Sequence, residues 1–147
     1  MKKEELITIP VSFYRNMKSS VVVPVTIGLV LDAIRGSFYE TQVKTIRQLK
    51  APGKQEEADE VKENLHAVTF CATFKNRRIS SLYDKYNQLM VIDIDKLQPE
   101  EMERVKDYLE ECSLVGSYWM SPSGTGWKGL VPLYYLNQDK KIDVVDM

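Results

Sequence analysis

Residues 89–95 read Leu89-Met90-Val91-Ile92-Asp93-Ile94-Asp95. The apolar run Leu89 to Ile92 has no polar face, which predicts a central strand covered on both sides. Pro99 suits the first position of a helix, and Glu100 and Glu101 suit its positive end. Met102, Val105, Tyr108 and Leu109 then line one face up to about Cys112. Leu114 to Met120 and Leu130 to Leu136 read as two more strands. Between them lies Ser121-Pro122-Ser123-Gly124-Thr125-Gly126-Trp127-Lys128-Gly129.

Upstream, Ile79 to Tyr86 reads as a short helix, and Val68, Phe70, Ala72 and Phe74 as one alternating strand. Residues 54–64 form a polar helix touching the core through Ala58, Val61 and Leu65. A helix over 40–50 carries Val43, Ile46 and Leu49 on one face and stops at Pro52-Gly53. Thr26 is a natural N-cap for a helix ending near Gly36, preceded by a short strand over 21–25 and a loop over 15–20. Ile7, Ile9, Val11 and Phe13 alternate with polar residues and Pro10, which predicts an edge strand. The order predicts one α+β domain over residues 1–147, with helices on one face of a mostly antiparallel sheet.

A chain of 147 residues is long enough to bury a core without staples. Its hydrophobic fraction of 44%, charged fraction of 28% and net charge of -1 are those of an ordinary globular domain without a global basic field. Cys71 and Cys112 form no CxxC pair and no histidine cluster, so both read as small buried side chains rather than disulfide or zinc ligands. The single histidine, His66, reads as structural or surface. The charged start and the short, Pro- and Gly-interrupted run from Val21 to Leu31 exclude a signal peptide and a bilayer span, so the expected location is cytoplasmic.

Two constellations bear on chemistry. Asp93 and Asp95 share one face of a strand end, with β-carbons about 7 Å apart. One reading is a pair that shares hard cations such as Mg²⁺ or Mn²⁺. The other is structural, with Asp95 capping the next loop and Asp93 paired with Lys128 or an arginine. The second constellation is Ser121, Ser123, Gly124, Thr125, Gly126 and Lys128. Glycines let backbone N–H groups approach an anion, and Lys128 adds a charge for phosphate. A glycine hairpin turn is the plainer alternative. Trp127 reads equally as a core, rim or base-stacking aromatic. Lys75, Arg77 and Arg78 form a basic turn, either solvated or in contact with nucleic acid.

In order, Val11-Ser12-Phe13-Tyr14 with Asn16, Ile34-Arg35-Gly36, Ala67-Val68-Thr69-Phe70, Thr73-Phe74-Lys75 with Arg78, Val91-Ile92-Asp93-Ile94-Asp95-Lys96-Leu97 and Ser121 to Lys128 resemble the VirE N-terminal-type domain of mobile-element proteins. The resemblance covers roughly residues 10–133. That domain is similar to the archaeo-eukaryotic primase, or primase-polymerase, superfamily. The resemblance implies an RRM-like catalytic sheet, Mg²⁺ or Mn²⁺ on Asp93 and Asp95, and a nucleotide-facing loop at Ser121, Ser123, Gly124, Thr125, Gly126 and Lys128. Many members carry histidine where this chain has Lys128. Longer relatives continue into a third acid and a helicase-like region. Here few residues follow Leu133, and Asp143 and Asp146, which could mimic a third acid, come too soon after the second motif to be assigned to it. The expectation is an incomplete or degenerate module, either nucleotide- or nucleic-acid-interacting or a non-catalytic DNA- or protein-binding scaffold.

Overall fold

The computed structural model describes residues 3–133. In chain order these form α1 (Lys3–Ile7), β1 (Pro10–Tyr14), β2 (Val23–Thr26), α2 (Ile27–Arg35), α3 (Glu40–Lys50), α4 (Gln55–Glu63), β3 (Ala67–Thr69) and β4 (Ala72–Phe74). A 3₁₀ turn (Ser80–Leu82) follows, then β5 (Tyr83–Tyr86), β6 (Leu89–Ile94), α5 (Pro99–Glu111), β7 (Ser117–Met120) and β8 (Trp127–Pro132). The strands pair antiparallel in three small sheets, ordered β2-β1-β3, β4-β5 and β6-β8-β7. The fold is α+β with antiparallel sheets, as the order of elements predicts.

Capping chemistry fixes the helix starts. The Thr26 hydroxyl accepts the Leu29 N–H at 3.4 Å and opens α2. Pro99 opens α5, where Gln98 and Glu101 form a reciprocal capping box.

The register of β6, β8 and β7 divides their sheet into two faces. Leu89, Leu130 and Trp119 point one way and join Leu6, Val11, Ile27 and Leu31 in the larger core. Ile92, Trp127 and Tyr118 point the other way and pack under Met102, Val105 and Leu109 of α5. Asp93 and Lys128 are register partners on the first face. Buried Asn87 ties the sheets together, donating from Nδ2 to Pro10 O at 2.8 Å and to Phe70 O at 2.9 Å.

Six expectations change. The helices do not share one face of one sheet, since α2 joins the core on one side of β6-β8-β7 and α5 the core on the other. Helix α1 takes residues through Ile7, so the first strand begins at Pro10 and is a middle strand, not an edge. Pro10 is tolerated because it is the first strand residue and lies before the β3 pairing at Ser12. The alternation over 68–74 is broken into β3 and β4, which belong to different sheets, where Asn87 claims the Phe70 and Cys71 carbonyls. Residues 79–86 are a 3₁₀ turn and a strand rather than a helix, because Tyr83 to Tyr86 pair with β4. The strand read as central, β6, is an edge, with Met90 49% and Val91 40% exposed. The buried middle strand is β8, which begins at Trp127. Cys71 is only half-buried and Cys112 is exposed at the end of α5. The end of the last predicted strand, with Asp143 and Asp146, lies outside the described residues.

Candidate functional site

Asp93 leaves β6 opposite Lys128 of β8, whose Nζ donates to Asp93 Oδ1 at 3.0 Å. Asp95 lies one residue beyond β6 and accepts the Lys96 N–H at 2.8 Å through Oδ1. That bond supports Lys96 in the left-handed region, at φ 56°. Each carboxylate therefore has the local partner that the structural reading named. Their hard oxygens also suit a divalent cation, with Lys128 as the present counter-charge of Asp93. Among the described residues no third His, Cys, Asp or Glu joins them in a cluster.

The turn between β7 and β8 is closed on itself. Ser121 N–H donates to Gly126 O, and Gly124 N–H to Ser121 O, both at 2.9 Å. Gly124 has φ +76°. A β-carbon on Gly126 would fall 2.2 Å from Ile94 O and 3.1 Å from Asp95 Cα. This glycine is what allows the turn to lie against the Asp95 segment, and Leu97 N–H donates to Thr125 O at 2.9 Å across the seam. Two of the turn's amides are thus used internally, and its hydroxyls bond one another. Ser121 and Ser123 Oγ lie 3.0 Å apart, and Ser123 Oγ and Thr125 Oγ1 3.2 Å apart.

The opposite wall is the α3–α4 hairpin. Arg47 donates to Ser121 O at 3.3 Å and packs over Gly124, and Lys50 Nζ donates to Thr125 Oγ1 at 3.4 Å. Between the walls lies a cleft of about 450 Å³ lined by Lys50, Asp59, Lys62, Asp95, Lys96 and Ser123, among others. The structure thus brings Asp95 and Ser123 into one cleft, while the Asp93–Lys128 pair sits beside it on the sheet. Arg47, Lys50 and Lys62 carried no signal in the sequence, and Lys96 entered only as part of the Val91 to Leu97 motif. Arg47 and Lys50 fall in the last turn of α3, where basic residues ordinarily complement the helix dipole.

Other candidates lie elsewhere. Trp127 is buried, with its indole N–H donating to Met102 O at 3.0 Å, so it is a core aromatic. Arg78 stacks on Tyr14 and donates to Met17 O at 2.9 Å, and Lys75 pairs with Asp84 at 3.8 Å. Arg77 is exposed. His66 is a surface residue whose Nδ1 meets the Tyr39 hydroxyl at 2.8 Å. Among the described residues no helix is long and apolar enough to cross a membrane.

Fold and site define an α+β domain with a lysine- and hydroxyl-lined cleft next to paired aspartates. The model of one family, described as BT4734-like, N-terminal domain, matches residues 60–146, more than half of the chain. The chain belongs to that family. No curated protein and no solved structure matched the chain. The matched residues include Asp93, Asp95, Lys62, Lys96 and the 121–128 turn, but not Arg47 or Lys50.

Proposed function

We propose that this chain is a nucleotide- or nucleic-acid-interacting module of a mobile-element replication protein, VirE N-terminal-like and of primase-polymerase type, working in the cytoplasm. The observation that carries the reading is that Asp95 and Ser123, from two separate motifs, line one cleft together with lysines. Asp93 and Asp95 are the residues that would hold Mg²⁺ or Mn²⁺. When bound, such a cation supplies charge stabilisation to a phosphoryl group and lowers the pKa of an attacking hydroxyl. Ser121, Ser123, Gly124, Thr125, Gly126 and Lys128 form the phosphate-facing side. Lys128 neutralises Asp93 until a phosphate oxygen competes for its ammonium group. Arg77, with Lys75 and Arg78 behind it, is the proposed nucleic-acid contact, and a helicase-like region is the proposed neighbour in longer relatives.

The second reading is a scaffold that binds DNA or protein without catalysis. It is favoured by the Lys128–Asp93 pair, which already gives Asp93 a counter-charge. Calorimetry with a nucleoside triphosphate and Mn²⁺ separates the two, using the wild-type chain and Asp93→Asn/Asp95→Asn. The primase-type reading expects metal-dependent binding that the double variant abolishes. Binding that ignores both metal and substitutions, or no binding by folded wild type, leaves the scaffold reading.

A further inference from the structure

We infer that the α3–α4 hairpin is the phosphate-binding wall of the cleft, with Lys50, Lys62 and Lys96 receiving a chain of two or more phosphates. The inference rests on the reading that the 121–128 turn faces a nucleotide, and it assigns the charge in that site to different residues.

Three ammonium groups line this cleft with two carboxylates, Asp59 and Asp95. None of the three lysines has a carboxylate within 4.0 Å among the described residues. Both carboxylates are instead engaged by N–H donors. Asp59 Oδ1 accepts Gln55 Nε2 at 2.7 Å, and Asp95 Oδ1 accepts the Lys96 backbone N–H. The only described side-chain partner of the three ammoniums is Thr125 Oγ1, a neutral hydroxyl, for Lys50. Among the other described lysines, Lys18, Lys44, Lys75 and Lys128 make ion pairs and Lys3, Lys54, Lys85 and Lys106 make none, so what distinguishes Lys50, Lys62 and Lys96 is that they converge on one cleft. Three ammonium groups against two carboxylates leave the cleft with an excess of positive charge, which raises its local affinity for an anion.

Chemistry selects phosphate within the class of anions. Lysine is a common phosphate binder as a point charge, and Ser123 adds a hydroxyl on the opposite wall. A volume of about 450 Å³ exceeds one phosphate and falls in the range of small-molecule sites. Arg47 is a positioning residue. It holds the turn through Ser121 O and over Gly124, and so sets the distance between the walls.

The test is calorimetry with pyrophosphate in EDTA, so that no metal contributes. Lys50→Gln/Lys62→Gln should weaken binding by about 10–100-fold, the loss expected for charged hydrogen bonds. Lys85→Gln/Lys106→Gln, a matched charge loss on β5 and α5, should change it less than about twofold. Melting curves confirm folding. If the double variant unfolds, Lys62→Glu on the exposed face of α4 replaces it and should weaken binding likewise. Equal losses in the matched control overturn the inference, because the attraction is then general. No pyrophosphate binding alongside Mn²⁺–triphosphate binding that needs Asp93 and Asp95 overturns the hairpin assignment and leaves the primase-type reading intact. Hairpin-dependent pyrophosphate binding without aspartate-dependent metal binding does the reverse. Absence of both overturns both.

Discussion

Gly126 is the residue on which the cleft geometry turns. Its missing β-carbon is what lets the turn lie on the carbonyl of Ile94, and so brings Ser123 and Asp95 to one opening. Gly126→Ala should force the two segments apart and destabilise the fold by about 1–3 kcal/mol. Gly53→Ala is the comparison, since Gly53 has φ +79° but a β-carbon there would meet no atom within 4 Å. It should cost about 1 kcal/mol, from backbone strain alone. Urea midpoints of the two variants test this, and equal losses would show that the Gly126 contact relaxes freely. The glycines were legible as a motif, but their role was not. Spacing suggested amides open to an anion, whereas the amides of Ser121 and Gly124 close the turn. Asp93 and Asp95 were legible as a pair with either of two fates, and their local partners are the ones the structural reading named.

Among the elements, the starts of α2 and α5 were legible because caps are local chemistry, whereas α1 was not foreseen and residues 79–86 were misread as a helix. Thr26 marks a helix start by accepting a backbone N–H, and Pro99 by having no N–H to leave unpaired there. Strand rank was not legible, because it depends on neighbours far along the chain. Leu89 to Ile92 are as apolar as a central strand, yet β8, interrupted by Lys128 and Gly129, takes the middle. Gly129 allows that close approach, since a β-carbon there would lie 2.9 Å from Ser117 O. The basic wall of the cleft was invisible for the same reason, as Lys50 and Thr125 meet only in the fold. One tie between elements has a pH signature. The Tyr118 hydroxyl of β7 donates to the Glu110 carboxylate of α5. That hydrogen bond, then burial, then the charges of Glu110 and Asp107 raise the Tyr118 pKa above its ordinary 10.0. The unfolded chain therefore releases this proton at lower pH than the folded one. The stabilisation is complete below pH 10 and falls as pH rises through the folded-state value. Denaturation midpoints of wild type and Tyr118→Phe should differ at pH 8 and converge above pH 10. Parallel curves would show that the tie adds no pH-dependent stability.

At the scale of the whole molecule, stability and function separate in space. β8 is hydrogen-bonded on both sides and supplies both cores, Leu130 to one and Trp127 to the other. Its opening requires loss of both cores, so its amides should exchange only through global unfolding. The fully buried residues of the α3–α4 hairpin are Ile46 and Ala58, and neither belongs to the two cores. The hairpin can therefore open locally while the β6-β8-β7 sheet stays intact. Hydrogen exchange followed by mass spectrometry should show hairpin amides exchanging at least about 10-fold faster than those of β8. Pyrophosphate bound in the cleft would bridge the hairpin to the 121–128 turn and stabilise only the closed form. It should slow exchange in α3 and α4 while leaving β8 unchanged. Hairpin amides as slow as those of β8 in the free protein would mean that the wall is rigid, and that ligand binding proceeds without ordering it.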